Sequence, residues 1–311
     1  MDPDFDLIVI GGGAAGLAAA QYGARANLKT ALVEELAAGG QALLIDALEN
    51  YPGVKGPVSG YDFSETMRAQ AEDFGAIFVT ATVGVLRQER GLFRAETSEG
   101  TLSAKAVILA TGAKHRRVGA PGEEEFAGRG VSYCATCDGP FFRGKRMLVV
   151  GGGDAACDEA GFLAKLSDRI VVVHRKARFR AQASLAERTL RNPNIEVRFG
   201  TIVRQIKGGK KVESVVLEEV EDARTYEEPF DAVFVFVGSI PQSALAADAR
   251  KDGEGHLITD DRMETSVRGL FAAGDVRASP FRQLVTAASD GATAAHSASQ
   301  HIDEIKGEAY A

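Results

Sequence analysis

Residues 6–20 read DLIVIGGGAAGLAAA, and residues 146–160 read RMLVVGGGDAACDEA. Each is a short apolar strand running into three glycines and then an alanine-rich helical stretch. Gly11, Gly13 and Gly16 make a G-x-G-x-x-G turn, and Gly151, Gly153 and Ala156 make its G-x-G-x-x-A variant. In such a turn the first glycine bends tightly and the second lets backbone approach a pyrophosphate. The third lets helix pack closely on strand, and the ligand sits at the positive end of the helix dipole. A second echo follows in the same order, AVILATGA at 106–113 against AVFVFVGS at 232–239. Two dinucleotide-binding units in an α/β chain are the expectation, against chance likeness of short apolar strands.

One position separates the two units. Twenty-three residues after Gly11 stands Glu34, ending the strand TALVE, where a carboxylate accepts hydrogen bonds from an adenosine ribose. Twenty-three residues after Gly151 stands His174, followed by Arg175, Lys176, Arg178 and Arg180. A carboxylate there would repel a 2′-phosphate, whereas these cations pair with it. The second ligand is therefore expected to be NADP(H). Blander readings stay open, with Glu34 a solvated strand end and the basic run a solvated loop.

Composition sets the outer bounds. The chain has 311 residues, with 45% hydrophobic and 25% charged, which excludes a disordered or fibrous protein. Its 35 glycines are an excess with no period of three, so they belong in turns and close approaches. A net charge of −7 argues against a nucleic-acid partner. No apolar run reaches the ~18 residues of a membrane span. The stretch 7–20 is preceded by Asp2, Asp4 and Asp6 and interrupted by Gly11, Gly12 and Gly13, unlike a secretory leader, so a cytoplasmic protein is expected.

There are three cysteines. Cys134 and Cys137 form a C-x-x-C pair without further zinc ligands at suitable spacing, so redox chemistry is expected and no metal. If the segment turns as a helix start, the sulfurs come within disulfide reach and the thiolate is stabilised. Asp138 is placed to exchange a proton with a leaving thiolate, or simply to cap the helix. Cys157 reads as a small buried apolar residue.

Coarser features complete the pattern. Phe63, Met67, Ala71 and Phe74 share one face of an expected helix over 61–74. Residues 83–109 suggest a small antiparallel meander, and 195–237 another with its turn at Gly208-Gly209. A strand is expected at 270–273 and a helix over 284–301.

The chain resembles the low-molecular-weight thioredoxin reductases nearly end to end. The likeness is carried by GGGAAG, GGQ at 39–41, ENYPG at 49–53, ATG at 110–112, GVSYCATCDG at 130–139, GGGDAA at 151–156, HRKARFRA at 174–181, and FAAGDVR with RQLVTAASDG in 271–291. The resemblance implies two Rossmann-like three-layer domains, an FAD domain (1–116 and 246–311) and an inserted NADPH domain (117–245) carrying the cysteines. It implies that FAD is contacted by Gly11, Gly13, Ala14, Ala15, Gly16, Glu34, Gly40, Gln41, Asn50, Val83, Ala110, Thr111, Gly112, Asp275, Gln283 and Leu284. NADPH would be contacted by Gly151, Gly153, Asp154, Ala155, Ala156, His174, Arg175, Lys176, Arg180 and Gly238. Cys137 would face the flavin, Cys134 would attack a thioredoxin, and Asp138 would be the acid.

Further expectations follow from that likeness. They are a homodimer, and rotation of the inserted domain about hinges near Lys114–Gly119 and Ser239–Ser243. A basic cluster of Lys114, His115, Arg116, Arg117, Arg129, Arg143, Lys145 and Arg146 is expected to contribute to docking an acidic partner, or else to solvate the hinge. Two departures stand out: Lys176 replaces the second of the family's paired arginines, and Pro140 precedes Phe141-Phe142. Rival activities with the same parts are a flavin-dependent dithiol oxidase, a reductase fed by a donor other than NADPH, and a redox sensor without turnover.

Overall fold

The apolar run before the first glycines forms β1 (Phe5–Ile10) in the computed structural model, which describes residues 3–45, 48 and 50–307. Glu49 of the ENYPG stretch lies outside the described residues. After β1 come α1 (Ala14–Arg25), β2 (Thr30–Glu34), α2 (Gly60–Asp73), β3 (Ile77–Thr80), β4 (Val83–Glu89), β5 (Leu92–Thr97), β6 (Gly100–Leu109) and β7 (Ala113–His115). The next stretch holds β8 (Val131–Ser132), α3 (Ala135–Asp138), β9 (Met147–Gly151), α4 (Asp154–Leu163), β10 (Ile170–His174), α5 (Ala183–Arg191) and β11 (Ile195–Phe199). It continues through β12 (Thr201–Gly208), β13 (Val212–Glu219), β14 (Thr225–Pro229) and β15 (Ala232–Phe236). β16 (Ser239–Pro241), β17 (Leu270–Ala272) and α6 (Leu284–Lys306) close the chain. Contacts divide it into two units, Met1–Lys114 with Ile240–Ala311, and His115–Ser239.

In the first unit the sheet order is β3-β2-β1-β6-β5-β4. The pairs β1–β2, β1–β6 and β2–β3 are parallel. One edge of β6 has two partners: β5 runs antiparallel to its start, and β17 runs parallel to its end. The expected meander is therefore an extension of the main sheet, because β6 is long enough to serve both. Strands covered on both faces should be apolar, and β1 is so from Leu7 to Ile10, with Asp6 near its half-buried start. Leu7 and Val9 pack with Leu17, Ala294, Ala298 and Ile302 of the helices, while Ile8 and Ile10 pack with Phe93, Leu257 and Leu270. In α2, Phe63, Met67 and Ala71 are buried, but Phe74 is the exposed C-cap, with the Arg25 guanidinium 5.1 Å from its ring centroid.

The second unit repeats the plan with the parallel order β11-β10-β9-β15-β8. Only β12, β13 and β14 form a separate antiparallel sheet. The meander expected over 195–237 therefore loses both ends, β11 and β15, to the parallel sheet. β15 is apolar enough to be covered on two faces, with Phe234 fully buried, whereas β11 pairs as the edge strand and leaves Glu196 exposed.

The second chain crossing falls between 239 and 240, six residues before the expected 245/246 boundary. The reason is local. Gln242 N–H donates to the Gly112 carbonyl at 2.9 Å, and Thr111 Oγ1 donates to the Gln242 carbonyl at 2.6 Å. Ala246 and Ala249 then enter the core of the first unit.

Candidate functional site

The first glycine turn is tight for identifiable reasons. A Cβ on Gly11, whose φ is +104°, would meet the Ala110 carbonyl oxygen at 2.5 Å, and one on Gly16 would meet the Gly11 carbonyl oxygen at 1.8 Å. Gly13 is the N-cap of α1 and supplies no side-chain cap, so first-turn N–H groups have no acidic or capping side chain from their own helix. That leaves them suited to an anionic ligand. Glu34 Oε2 accepts the Gly12 N–H at 2.7 Å and Oε1 accepts the Leu36 N–H at 3.2 Å. A carboxylate has about four acceptor directions, so capacity for ribose hydroxyls remains.

Other expected residues converge on the same edge, beyond the C-terminal ends of β1, β2, β6 and β17. Ligands bind at that edge in open α/β sheets. Gly39 N–H donates to the Gly12 carbonyl at 2.7 Å, and a Cβ on Gly40 would lie 3.1 Å from Gly13 Cα. Gln41 Nε2 donates to the Ala113 carbonyl at 2.6 Å, which joins Gln41 to the Ala110-Thr111-Gly112 turn. A Cβ on Gly274 would lie 3.0 Å from that of Ala15, so the loop bearing Asp275 abuts the start of α1 beside Ala14. Burial pushes the Asp275 carboxyl above its ordinary range, Arg282 opposes the rise and Asp290 adds to it. Asn50 Nδ2 donates to Gln283 Oε1 at 3.1 Å, and Gln283 is the N-cap of α6, directly before Leu284. Val83 opens β4, two residues after Ala81, whose N–H donates to the Glu34 carbonyl.

The second turn matches the first with different chemistry on it. A Cβ on Gly151 would meet the Phe236 carbonyl oxygen at 2.4 Å. Gly152 lies beneath the His174 ring, as Gly12 lies beside Glu34, and a Cβ there would come 2.3 Å from Nδ1. Arg180 N–H donates to the Gly152 carbonyl at 2.8 Å, and the Arg180 Nε lies 3.5 Å from where a Gly153 Cβ would be. Gly153 caps α4 without a side-chain bond, and Ala156 is buried behind it. Asp154 takes the Gln182 N–H and Nε2 at 2.7 and 3.1 Å, next to exposed Ala155. His174 is 8% exposed, and its Nε2 has no hydrogen-bond partner among the described residues. Burial lowers its pKa, and Arg175, Arg180 and Lys176 lower it further. Arg175 and Lys176 are exposed, and Gly238, at φ +109°, accepts the Arg116 N–H at 2.9 Å.

An orphaned buried imidazole nitrogen among three cations fits an anionic phosphate. An uncapped glycine turn flanked by Glu34 fits the pyrophosphate and ribose of a dinucleotide without a 2′-phosphate.

In the second unit Cys134 and Cys137 are joined as a disulfide, with Cα atoms 5.3 Å apart. Cys134 is the N-cap of α3, and its Sγ accepts the Cys137 N–H at 3.2 Å, with Thr136 Oγ1 at 3.4 Å. Backbone and hydroxyl donors aimed at Sγ stabilise a thiolate there once the bond is reduced. Asp138 is the last residue of α3, and its N–H donates to the Cys134 carbonyl. Cys157 is a buried free thiol, its pKa raised first by burial.

Tyr133 and Glu123 were not legible as partners of this region. Glu123 is 2% exposed and accepts the N–H groups of Val118 and Gly119 and the Tyr133 hydroxyl, at 3.1, 2.7 and 3.0 Å. In sequence it reads as part of a solvated acidic run. The basic cluster is partly committed: Arg117 pairs with Glu124, Lys145 with Asp231 and Arg146 with Glu228. Arg129 and Arg143 are exposed, as is Phe141.

Comparison with known proteins agrees over the whole chain. The family described as pyridine nucleotide-disulphide oxidoreductase matches residues 5–299. A thioredoxin reductase of Treponema pallidum is 54% identical over 306 residues, covering 98% of this chain and 100% of that protein. The crystal structure of thioredoxin reductase from Streptococcus pyogenes, 40% identical, superposes with a TM-score of 0.89 over 96% of this chain and 98% of that one. The Lactococcus lactis thioredoxin reductase in its FR conformation, 38% identical, gives 0.68 over 97% and 100%. The chain belongs to the pyridine nucleotide-disulphide oxidoreductase family, among its thioredoxin reductases.

Proposed function

We propose that this chain is an NADPH-dependent thioredoxin-disulfide reductase, with FAD held by the first unit, NADPH bound by the second, and Cys134–Cys137 as the exchanging pair. The observation that carries this reading is the bonded pair at the start of α3, in the same unit as a glycine turn overlaid by His174 and Arg180. Gly11, Gly13, Gly16, Glu34, Gly40, Gln41 and Asp275 would hold FAD, with the other first-unit positions named above around them. Bound FAD supplies a two-electron relay between hydride and thiol chemistry.

The residues of the chain then divide the work. His174, Arg175, Lys176 and Arg180 take the 2′-phosphate. The Cys134–Cys137 bond accepts two electrons and two protons to become a dithiol. The Cys134 thiolate attacks the partner disulfide and forms a mixed disulfide, and Asp138 delivers the proton to the departing sulfur. The Cys137 thiolate then attacks Cys134 Sγ, which restores the internal bond and releases the partner as a dithiol.

Arg180 beside Gly153 favours NADPH over another donor, and over an oxidase that needs no nicotinamide. Hydride and thiol chemistry each need near-contact distances of about 3–3.5 Å, so the inserted unit alternates between two orientations. Arg129 and Arg143 contribute to docking the acidic partner. The likeness to the thioredoxin reductases supports a homodimer. A free buried Cys157 suits the reducing cytoplasm.

Cys137→Ser tests the assignment. Flavin reduction by NADPH should persist and thioredoxin reduction should fall at least 10³-fold, on the order of removing an essential nucleophile. Wild-type turnover in that variant would reject the exchanging pair.

A further inference from the structure

Three segments of the first unit meet at a histidine that none of the foregoing uses. His256 is 1% exposed. Its Nδ1 lies 3.1 Å from Asp252 Oδ2, and its Nε2 lies 3.1 Å from a terminal nitrogen of Arg282. A guanidinium can only donate, so Nε2 must offer its lone pair, and the ring hydrogen sits on Nδ1, donated to Asp252. The other Asp252 oxygen, Oδ1, accepts the N–H groups of Glu254 and His256 at 2.8 and 2.9 Å, which fixes the turn that carries the ring. Ser243 Oγ donates to the Gly255 carbonyl at 2.7 Å and ties that turn down.

The far end of this chain of bonds points to the cofactor corner. Arg282 directly precedes Gln283, the N-cap of α6 and the partner of Asn50. Arg282 also offsets the burial of Asp275, while Asp290 is already engaged by Arg277 at 3.0 Å. A flexible arginine loses rotamer freedom when it binds, and one held beforehand has less to lose.

We propose that His256 is a positioning residue. Oriented by Asp252, it holds the Arg282 guanidinium at the start of α6, so that the dinucleotide meets a pre-set counter-charge. The inference rests on the reading of the first unit as the FAD site.

The ring tautomer admits a near-isosteric test. Asp252→Asn keeps Oδ1 for the turn but places an amide donor against Nδ1. The ring hydrogen must then move to Nε2, where it opposes the Arg282 donor. FAD affinity of the full chain stripped of flavin, read by flavin fluorescence, should fall about tenfold in Asp252→Asn and about tenfold in Arg282→Gln, the scale of a charge-assisted bond. The double variant should be no weaker than Arg282→Gln by more than about threefold. His256→Gln keeps an acceptor toward Arg282 and should stay within about threefold of wild type, whereas His256→Leu should lose about tenfold. If Asp252→Asn is insoluble, the same cycle is run with His256→Leu and Arg282→Gln.

Unchanged affinity in Asp252→Asn or His256→Leu, or losses that multiply to about a hundredfold in the double variant, would overturn the clamp. Failure of the wild-type chain to bind FAD would instead overturn the FAD reading, and the clamp with it.

Discussion

His174 shows how much depends on a single side chain. It occupies the place that Glu34 holds in the first unit, covers Gly152, and leaves Nε2 without a partner among the described residues. Lys176 beside it keeps a positive charge but lacks the planar fork that grips a phosphate through two bonds. Lys176→Arg should therefore raise the NADPH-over-NADH ratio of kcat/KM several-fold, with NADH turnover little changed. An unchanged ratio would mean that residue 176 does not reach the 2′-phosphate. The difference between the two turns was legible because it is a charge reversal at fixed spacing after a glycine motif. The roles of Glu123 and His256 were not legible. A buried carboxylate or imidazole is defined by partners brought near in space, and no local pattern encodes them.

At the scale of elements, the glycines that the sequence marks are explained by close approach. Gly291 lies where α6 crosses α1, and a Cβ there would meet the Ala15 carbonyl oxygen at 2.0 Å. Backbone cannot swing aside as a long side chain can. Gly291→Ala should cost about 1–3 kcal/mol, the usual range for overpacking, and lower the urea midpoint. A neutral alanine would show that α1 and α6 can separate without penalty. Strand periodicity identified β4, β5 and β6 but not that β6 serves two neighbours along one edge, since alternation reports exposure and says nothing of pairing. The same limit explains why β11 and β15 read as parts of a meander. Phe74 fell on the apolar face by spacing, yet the helix stops at Asp73, and one residue beyond its end the helical phase no longer applies.

At the scale of the whole molecule, two buried histidines should set the acid response. Burial holds the folded-state pKa of both His174 and His301 below the unfolded value near 6.5. The unfolded chain then binds more protons, so stability is fully present above about pH 6.5 and is lost as pH falls toward the folded values. Each histidine contributes a slope of up to about 1.4 kcal/mol per pH unit. A second loss belongs below about pH 4. There Asp6, held low against its burial by Lys105, and Glu228, held low against its burial by Arg198 and Arg146, become protonated. Urea midpoints measured on the flavin-free chain should fall from pH 7.5 to 5.5, and His301→Leu should flatten that decline. A midpoint that is level across the interval would refute the buried neutral histidines.

In the proposed reaction, electrons enter from NADPH and leave through Cys134 and Cys137 to a thioredoxin. An anaerobic titration of the yellow holoprotein tests this directly. Added NADPH should bleach the flavin band, and oxidised thioredoxin added next, with oxygen still excluded, should restore it. A band that ignores NADPH, or returns only when oxygen is admitted, would rule out that electron path.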